Sequence, residues 1–543
     1  MQWMPKYSSP WAVAAAALAL LNACTHAQGA TSARDCLVIG RVGDFESLNP
    51  LLLSGADSAS IGPLVFSYLV TVDSRGVLAP DVAQAVPSVA NGGISRDGKT
   101  IVYRLRKGVR WQDGAPLTSR DVAFTYRQIL NPRNNVPARE VYDKIVRLET
   151  PDPWTVRLTL REPNSAMLSY FLAPDGNYTI LPEHVLRGRT DLNHAPFNAM
   201  PLGSGPFRVV EWRRGDRLRL DRFEGYFGGT PPLRQITIET LPSAQTLLVQ
   251  MQTHEIDATF TGSITRLADY ARIPGVRAVR APVYGAALLA FNAKDPMVSD
   301  ARVRRAIVEA ADLPRIVQLA GHGALTNADA GRGFYGPDYD PSIAGGPGYD
   351  LADAGRLFDE TGWTRNAQGL LQRNGVALAP TFVYIQSSPE AEAFAVLLQA
   401  QLQRAGVTLT LRPYPEQVYG APASAGGPIL GGKFQMVLLQ LLVAIDPSTE
   451  YFLGCNQFPP RGANYTRYCN PAVDRANAAG LLTYDPKERA ADSATVQRIV
   501  ARDLPFVSLW QQANAAAYPN DLQGVHPSAF LVLGDVAKWR RNQ

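Results

Sequence analysis

"DGKTIVYRLRKGVRWQDGAPLTSRDVAFTYRQI" (residues 97–129) decides the fold, because each of its turns, strands and helices has a local physical signal. Asp97-Gly98 is a tight-turn dipeptide, and Ile101, Tyr103 and Leu105 then alternate onto one face of a strand over Thr100–Leu105. Gln112-Asp113-Gly114 turns the chain again. Thr118, with Asp121 three residues later, has capping-box form, and Val122, Tyr126, Ile129 and Leu130 fall on one face of the helix that follows.

The same grammar extends outward. "LGSGPFRVVEWRRGDRLRLDRFEGYFGG" (residues 202–229) opens with a glycine-proline turn, in which Gly203, Gly205 and Pro206 shape the chain. It continues as strands Phe207–Trp212 and Arg217–Asp221, joined across Gly215-Asp216. In "FNAKDPMVSDARVRRAIVEAADLPRIV" (residues 291–317) Asp300 caps a helix whose core face is Val303, Ala306, Ile307 and Ala310. A helix over Glu390–Ala405 followed by a strand over Val407–Arg412 makes an α/β unit. Strands mixed with helices throughout point to an α/β, multi-lobed architecture.

The 543 residues exceed what one core accommodates, so two or more domains are expected, and 46% apolar residues mark a folded chain. Lys6 followed by the apolar run Trp11–Leu21 reads as an export signal within residues 1–30, since a spanning helix needs roughly 20 apolar residues. "Leu21-Asn22-Ala23-Cys24" resembles the lipobox of bacterial lipoproteins, which makes Cys24 the acylated tether. Cleavage near Ala27–Ala30, releasing the chain into the periplasm, is the alternative. Either way the mature chain is expected outside the cytoplasm. "FQMVLLQLLVAI" (residues 434–445) stops at Asp446-Pro447 and reads as a buried strand.

The net charge of +5 is spread among 48 acids without a basic block, so no nucleic-acid partner is expected. Cys455 and Cys469 close a short loop that favours a disulfide over zinc in an exported chain. Cys36 is left without an evident partner and is expected as a buried free thiol.

Motifs for catalysis or cofactors fail on context. Gly331, Gly333 and Gly336 in "GRGFYG" match a dinucleotide-binding pattern, but neither flank supplies the required strand or helix. "GPILGGKF" (residues 427–434) has Phe434 where a phosphate loop needs Ser or Thr. No Gly-x-Ser-x-Gly, Ser-x-x-Lys or His-Glu-x-x-His occurs. The expectation is no enzyme, no cofactor and no metal; an exported hydrolase using carboxylates brought together from distant positions is the remote alternative.

Residues 97–129 resemble the signature of the oligopeptide/dipeptide type, family 5, of extracytoplasmic solute-binding proteins, which deliver ligands to ATP-binding-cassette importers. "LNPLL", "LGSGPF", "FEGYFGG", "FNAKDPMVSDARVRRAI", "AVLLQAQLQRAGVTLTL", "NYTRYCNPAVDRA" and "DLPFVSLWQQANA" follow in family order, covering about residues 37–535. The resemblance implies a two-lobed periplasmic-binding-protein fold with mixed sheets, flanking helices and a hinge of two crossing strands. Lobe one would be residues 31–288 plus 512–543, with an extra subdomain at about 88–200, and lobe two residues 289–511. Hinge strands would lie near Leu288–Asn292 and Val507–Gln512. The lobes would close over a solute, and permease subunits would recognise the closed monomer.

Peptide binders of this family carry a tryptophan and an aspartate that pairs with the peptide amino group, just ahead of an Asp-Pro. Here that segment reads "QLLVAIDPSTEYF" (residues 440–452), with Gln440-Leu441 at the tryptophan region and Val443 near the aspartate's place. The second disulfide of dipeptide binders also has no cysteine near Glu255-Ile256. A peptide is the expected ligand; an oligosaccharide, an opine or a metal chelate is the alternative. Loop positions nominate Asp57 and Ser58 in lobe one, and Arg332, Phe334, Tyr335, Gln386, Ser387, Gln440 and Asp446 in lobe two. Arg332 could pair with a ligand carboxylate, and Phe334 or Tyr335 could stack on an apolar face.

Overall fold

The capping box forms as read: Thr118 Oγ1 accepts the Arg120 N–H, the Asp121 carboxylate accepts the Thr118 N–H at 2.8 Å, and the helix runs Ser119–Leu130. It packs beside a three-stranded sheet in which Thr155–Leu160 is flanked by Thr100–Arg104 and Ile145–Asp152. The structure, a computed structural model, describes residues 35–542 apart from 54, 74–75, 138, 140, 190, 326–330 and 345. The export segment and Cys24 lie outside the described residues. Among those residues no helix is long and apolar enough to cross a membrane.

A four-stranded sheet follows the order Cys36–Val42, Gln235–Leu241, Arg217–Arg222, Phe207–Arg213. The last two form the hairpin expected around Gly215, whose φ is +71°. Two glycines let the chain lock this sheet to its neighbour. A Cβ on Gly203 would lie 1.7 Å from the Val65 carbonyl oxygen, and one on Gly205 2.6 Å from the Val65 carbonyl carbon. That approach lets the Gly205 N–H reach the Val65 carbonyl, while the Gln112 side chain donates to the Phe207 carbonyl at 2.8 Å. The two signature turns are therefore one packed unit.

A six-stranded sheet organises the rest, in the order Thr259–Ser263, Phe506–Pro519, Val276–Phe291, Met436–Leu442, Thr381–Ile385, Thr410–Tyr414. Side chains alternate across a strand, and here both faces are covered. Ala287, Leu289 and Phe291 enter one core with Met436, Leu438, Phe382 and Tyr384. Ala286, Leu288 and Ala290 enter the opposite core with Val437, Leu439 and Val383. Double burial explains why residues 434–445 read as an unbroken apolar run rather than an alternating one.

The two longest strands continue out of this region. Ala281, Ala516 and Tyr518 join the core built from the N-terminal part of the chain, while Ala515 and Ala517 face a further cluster with Val38, Leu247 and Met251. The pairing between these strands breaks register between Pro282 and Ala286, opposite Ala513 and Gln511. The chain thus folds as two lobes joined through a pair of shared strands.

The helix after Asp300 spans Ala301–Glu309, and the next α/β unit has its helix at Pro389–Arg404. Its strand starts at Thr410 rather than Val407, because Val407 and Leu409 are first spent on burial in the turn, where the Val407 N–H bonds back to Leu402. The Cys455–Cys469 disulfide is present. Cys36 corrects the expectation of a free thiol: it is buried and disulfide-bonded. With Cys24 read as the tether and Cys455 matched to Cys469, the sequence left it no mate.

Candidate functional site

A cavity of about 390 Å³ opens where the shared strands break register. Ala281, Pro282, Val283, Tyr284 and Asn514 form its back, and Phe260 and Thr261 extend it. Ser58, Tyr170, Asp175 and Asn177 come from the N-terminal lobe. Leu442–Ile445, Ser448, Tyr451 and Phe452 come from the facing lobe, and residues 527–532 close one side. Its volume is at the small end for a ligand cleft, and its walls are mainly apolar and aromatic, as such clefts usually are.

The bulge fixes Tyr284. Its N–H donates to the Ala529 carbonyl at 3.1 Å, and its own carbonyl accepts the Val443 N–H at 3.0 Å. Its ring lies on Phe530. Burial raises its hydroxyl pKa, so the group is a neutral donor at ordinary pH.

Asp175 sits in the turn Pro174–Gly176 and reaches across the cleft. Its carboxylate accepts the Ile445 N–H at 2.5 Å and the Asp446 N–H at 3.0 Å. Part of the residue faces the cavity, yet protein crowds its carboxyl and raises the pKa to about 7. The two backbone N–H groups and the Ser169 hydroxyl oppose that rise, and the Asp446 charge adds to it. Among the described lining residues Asp175 is the one carboxylate, and no Arg, Lys or His lines the cavity.

The nominated residues disperse around this cavity. Ser58 lines it, with its hydroxyl donating to the Asn177 carbonyl at 2.7 Å. Asp57, one residue earlier, pairs with Arg41 at 2.8 Å. Asp446 adjoins the cavity through Ile445, but its carboxylate pairs with Arg489 at 2.5 Å and accepts the Ser448 N–H. Gln440 is half-buried within Met436–Leu442, opposite Ala287. Gln386 and Ser387 are exposed just beyond Thr381–Ile385.

Arg332, Phe334 and Tyr335 belong to a one-turn helix rather than a loop. Arg332 is exposed, and its charge lowers the Tyr284 pKa against the larger effect of burial. Phe334 is buried against Phe506 and Phe452, so it backs the cavity wall. Tyr335 faces a second cavity of about 250 Å³ inside the same lobe. The "GRGFYG" glycines are packing devices: a Cβ on Gly333 would meet the Gly285 carbonyl oxygen at 2.4 Å.

Sequence reasoning missed Asp175, Tyr170, Tyr284 and the 527–532 segment. Nothing in the Pro174-Asp175-Gly176 turn says which distant backbone it meets. Among the described residues no group of His, Cys, Asp or Glu has the arrangement to hold a metal ion.

Residues 80–459 match the model of the bacterial extracellular solute-binding proteins, family 5. Protein XP55 of Streptomyces lividans is 30% identical over 491 residues, covering 89% of this chain and 84% of the relative. The oligopeptide-binding protein AppA of Bacillus subtilis is 25% identical over 514 residues, covering 93% of this chain and 91% of its own. In fold, the chain is similar to the crystal structure of NikA from Brucella suis in complex with Fe(III)-EDTA. That match has a TM-score of 0.79 at 21% identity and covers 93% of this chain and all of the other.

Proposed function

The chain belongs to family 5 of the bacterial extracellular solute-binding proteins, and from that membership we propose that it captures peptides between its lobes and delivers them to a membrane permease. It is the extracytoplasmic solute-binding component of an ATP-binding-cassette importer. One observation carries the reading: a ligand-sized cavity is walled by both lobes and backed by the two strands they share. A solute held there contacts both lobes only when they meet, so it favours the closed state by differential affinity. Lobe one is assigned to residues 31–288 plus 512–543, lobe two to 289–511, and the export signal to residues 1–30. Acylation would take the Cys24 thiol and so exclude it as a disulfide partner for Cys36, and the tether reading requires that use of the thiol in the mature protein. A tether would keep the binder beside its importer at high local concentration. The solute leaves unaltered.

Mass spectrometry of gently purified protein tests this. An intact retained peptide, together with smaller dimensions by X-ray scattering in its presence, is the expected result. Unchanged dimensions with accumulation of a cleaved product would overturn it. Replacing Cys24 by Ser should abolish lipid labelling; persistent labelling would refute the tether.

A second reading, a non-peptide or amino-blocked ligand, is favoured by Val443. This apolar side chain lines the cavity near the place where peptide binders are expected to present an acid. NikA of Brucella suis, similar in fold, was solved in complex with Fe(III)-EDTA, which supports keeping such a solute as the second reading.

A further inference from the structure

Building on the solute-binding reading, we infer that Asp175 is the cleft's cation-recognising residue, and that the solute presents an ammonium group to it. On the peptide reading this group is the amino terminus, held by an acid from the N-terminal lobe in place of one at Val443.

Three observations converge. Asp175 is the one carboxylate among the described lining residues, and no basic side chain lines the cavity to neutralise it. The neighbouring acid, Asp446, is already paired with Arg489, and that cation serves Asp446. A buried carboxylate without a cation is costly, and a ligand ammonium removes that cost. Secondly, Asp175 has acceptor capacity left. Two backbone N–H groups and the Ser169 hydroxyl occupy three of its roughly four lone-pair positions, leaving one. Thirdly, Tyr170, Tyr284 and Tyr451 share the same cavity, and their ring faces attract cations.

The placement also links recognition to closure. The N–H groups that orient Asp175 belong to the facing lobe, at a sequence separation of 270 and 271 residues. Ser169 of the same lobe also bonds the carboxyl, but these two N–H groups are added only when the lobes meet, so an ammonium group binds the closed form preferentially. An anionic solute would face an unscreened like charge at the same place.

The test offers purified protein a random tripeptide library, half of it N-acetylated, together with neutral oligosaccharides and simple diamines, and reads retained masses by native mass spectrometry. The wild type should enrich free-amine over acetylated peptides at least tenfold, and Asp175→Asn should bring that ratio near one. The ratio is the readout because any cost of the substitution to closure affects both peptide classes alike. Equal retention of both classes, or an enrichment that survives Asp175→Asn, overturns the inference and leaves peptide binding standing. Retention of a diamine alone, lost in Asp175→Asn, supports the inference and overturns the peptide reading. Retention of oligosaccharide alone, or of nothing, overturns both.

Discussion

The ring of Tyr284 lies on that of Phe530 with centroids 3.7 Å apart and planes inclined by 30°. The contact joins the register break of the shared strands to the 527–532 segment, both of which wall the cavity. Such ring pairs contribute about 0.5–1.5 kcal/mol beyond their buried area. Tyr284→Ala should therefore weaken solute binding by roughly two- to twelvefold in isothermal calorimetry. An unchanged affinity would show that the ring does not shape the bound state.

Asp446 and Arg489 form a nearly enclosed ion pair, with side-chain exposures of 4% and 18%. Removing one partner leaves the other charge buried, which costs about 3–5 kcal/mol. Arg489→Met should lower the denaturant midpoint accordingly, and the double variant with Asp446→Asn should recover much of the loss. A single variant as stable as wild type would mean that water already compensates the pair.

The Cys455–Cys469 disulfide spans 14 residues of sequence. Closing a loop of that size stabilises by about 3 kcal/mol on the chain-entropy account. Replacing both cysteines with Ser should cost about that much in equilibrium unfolding, and reductant added to the double variant should then report only on the remaining Cys36 disulfide.

Burial raises the folded-state pKa of Asp175 from 3.8 to about 7, so folding favours its protonated form. Its contribution to stability is full below the unfolded value and is lost as pH rises through about 7. Asp81 is raised to a similar value by burial, so the informative quantity is a difference between variants. For ligand-free protein, wild-type stability relative to Asp175→Asn should fall between pH 3.8 and about 7 and then level off. A flat difference in chemical unfolding across that window would contradict the assignment.

Local chemistry made much of the fold legible. Thr118 and Asp121 announce a helix start, Gly215-Asp216 a hairpin, and the apolar run before Asp446 a strand buried on both sides. The site was less legible because it is made of long-range meetings. Asp175 touches backbone 270 residues away, and backbone N–H groups carry no side-chain signature. Phe334 and Tyr335 look like ligand-stacking aromatics in sequence, yet both are buried in the core, since composition alone does not separate a packed ring from an exposed one. Cys36 misled for a different reason: with Cys24 assigned to the tether and Cys455 to Cys469, no thiol remained to pair with it.

Tyr518, Val536 and Trp539 complete a core that Leu37 and Ile39 begin. About 500 residues of synthesis separate its first and last contributors, a delay of roughly 25–100 s at ordinary elongation rates. During that interval the N-terminal strands lack the aromatic side that seals them. Translation order therefore acts as a timer: the earliest segment to emerge cannot complete this core until the last has been made.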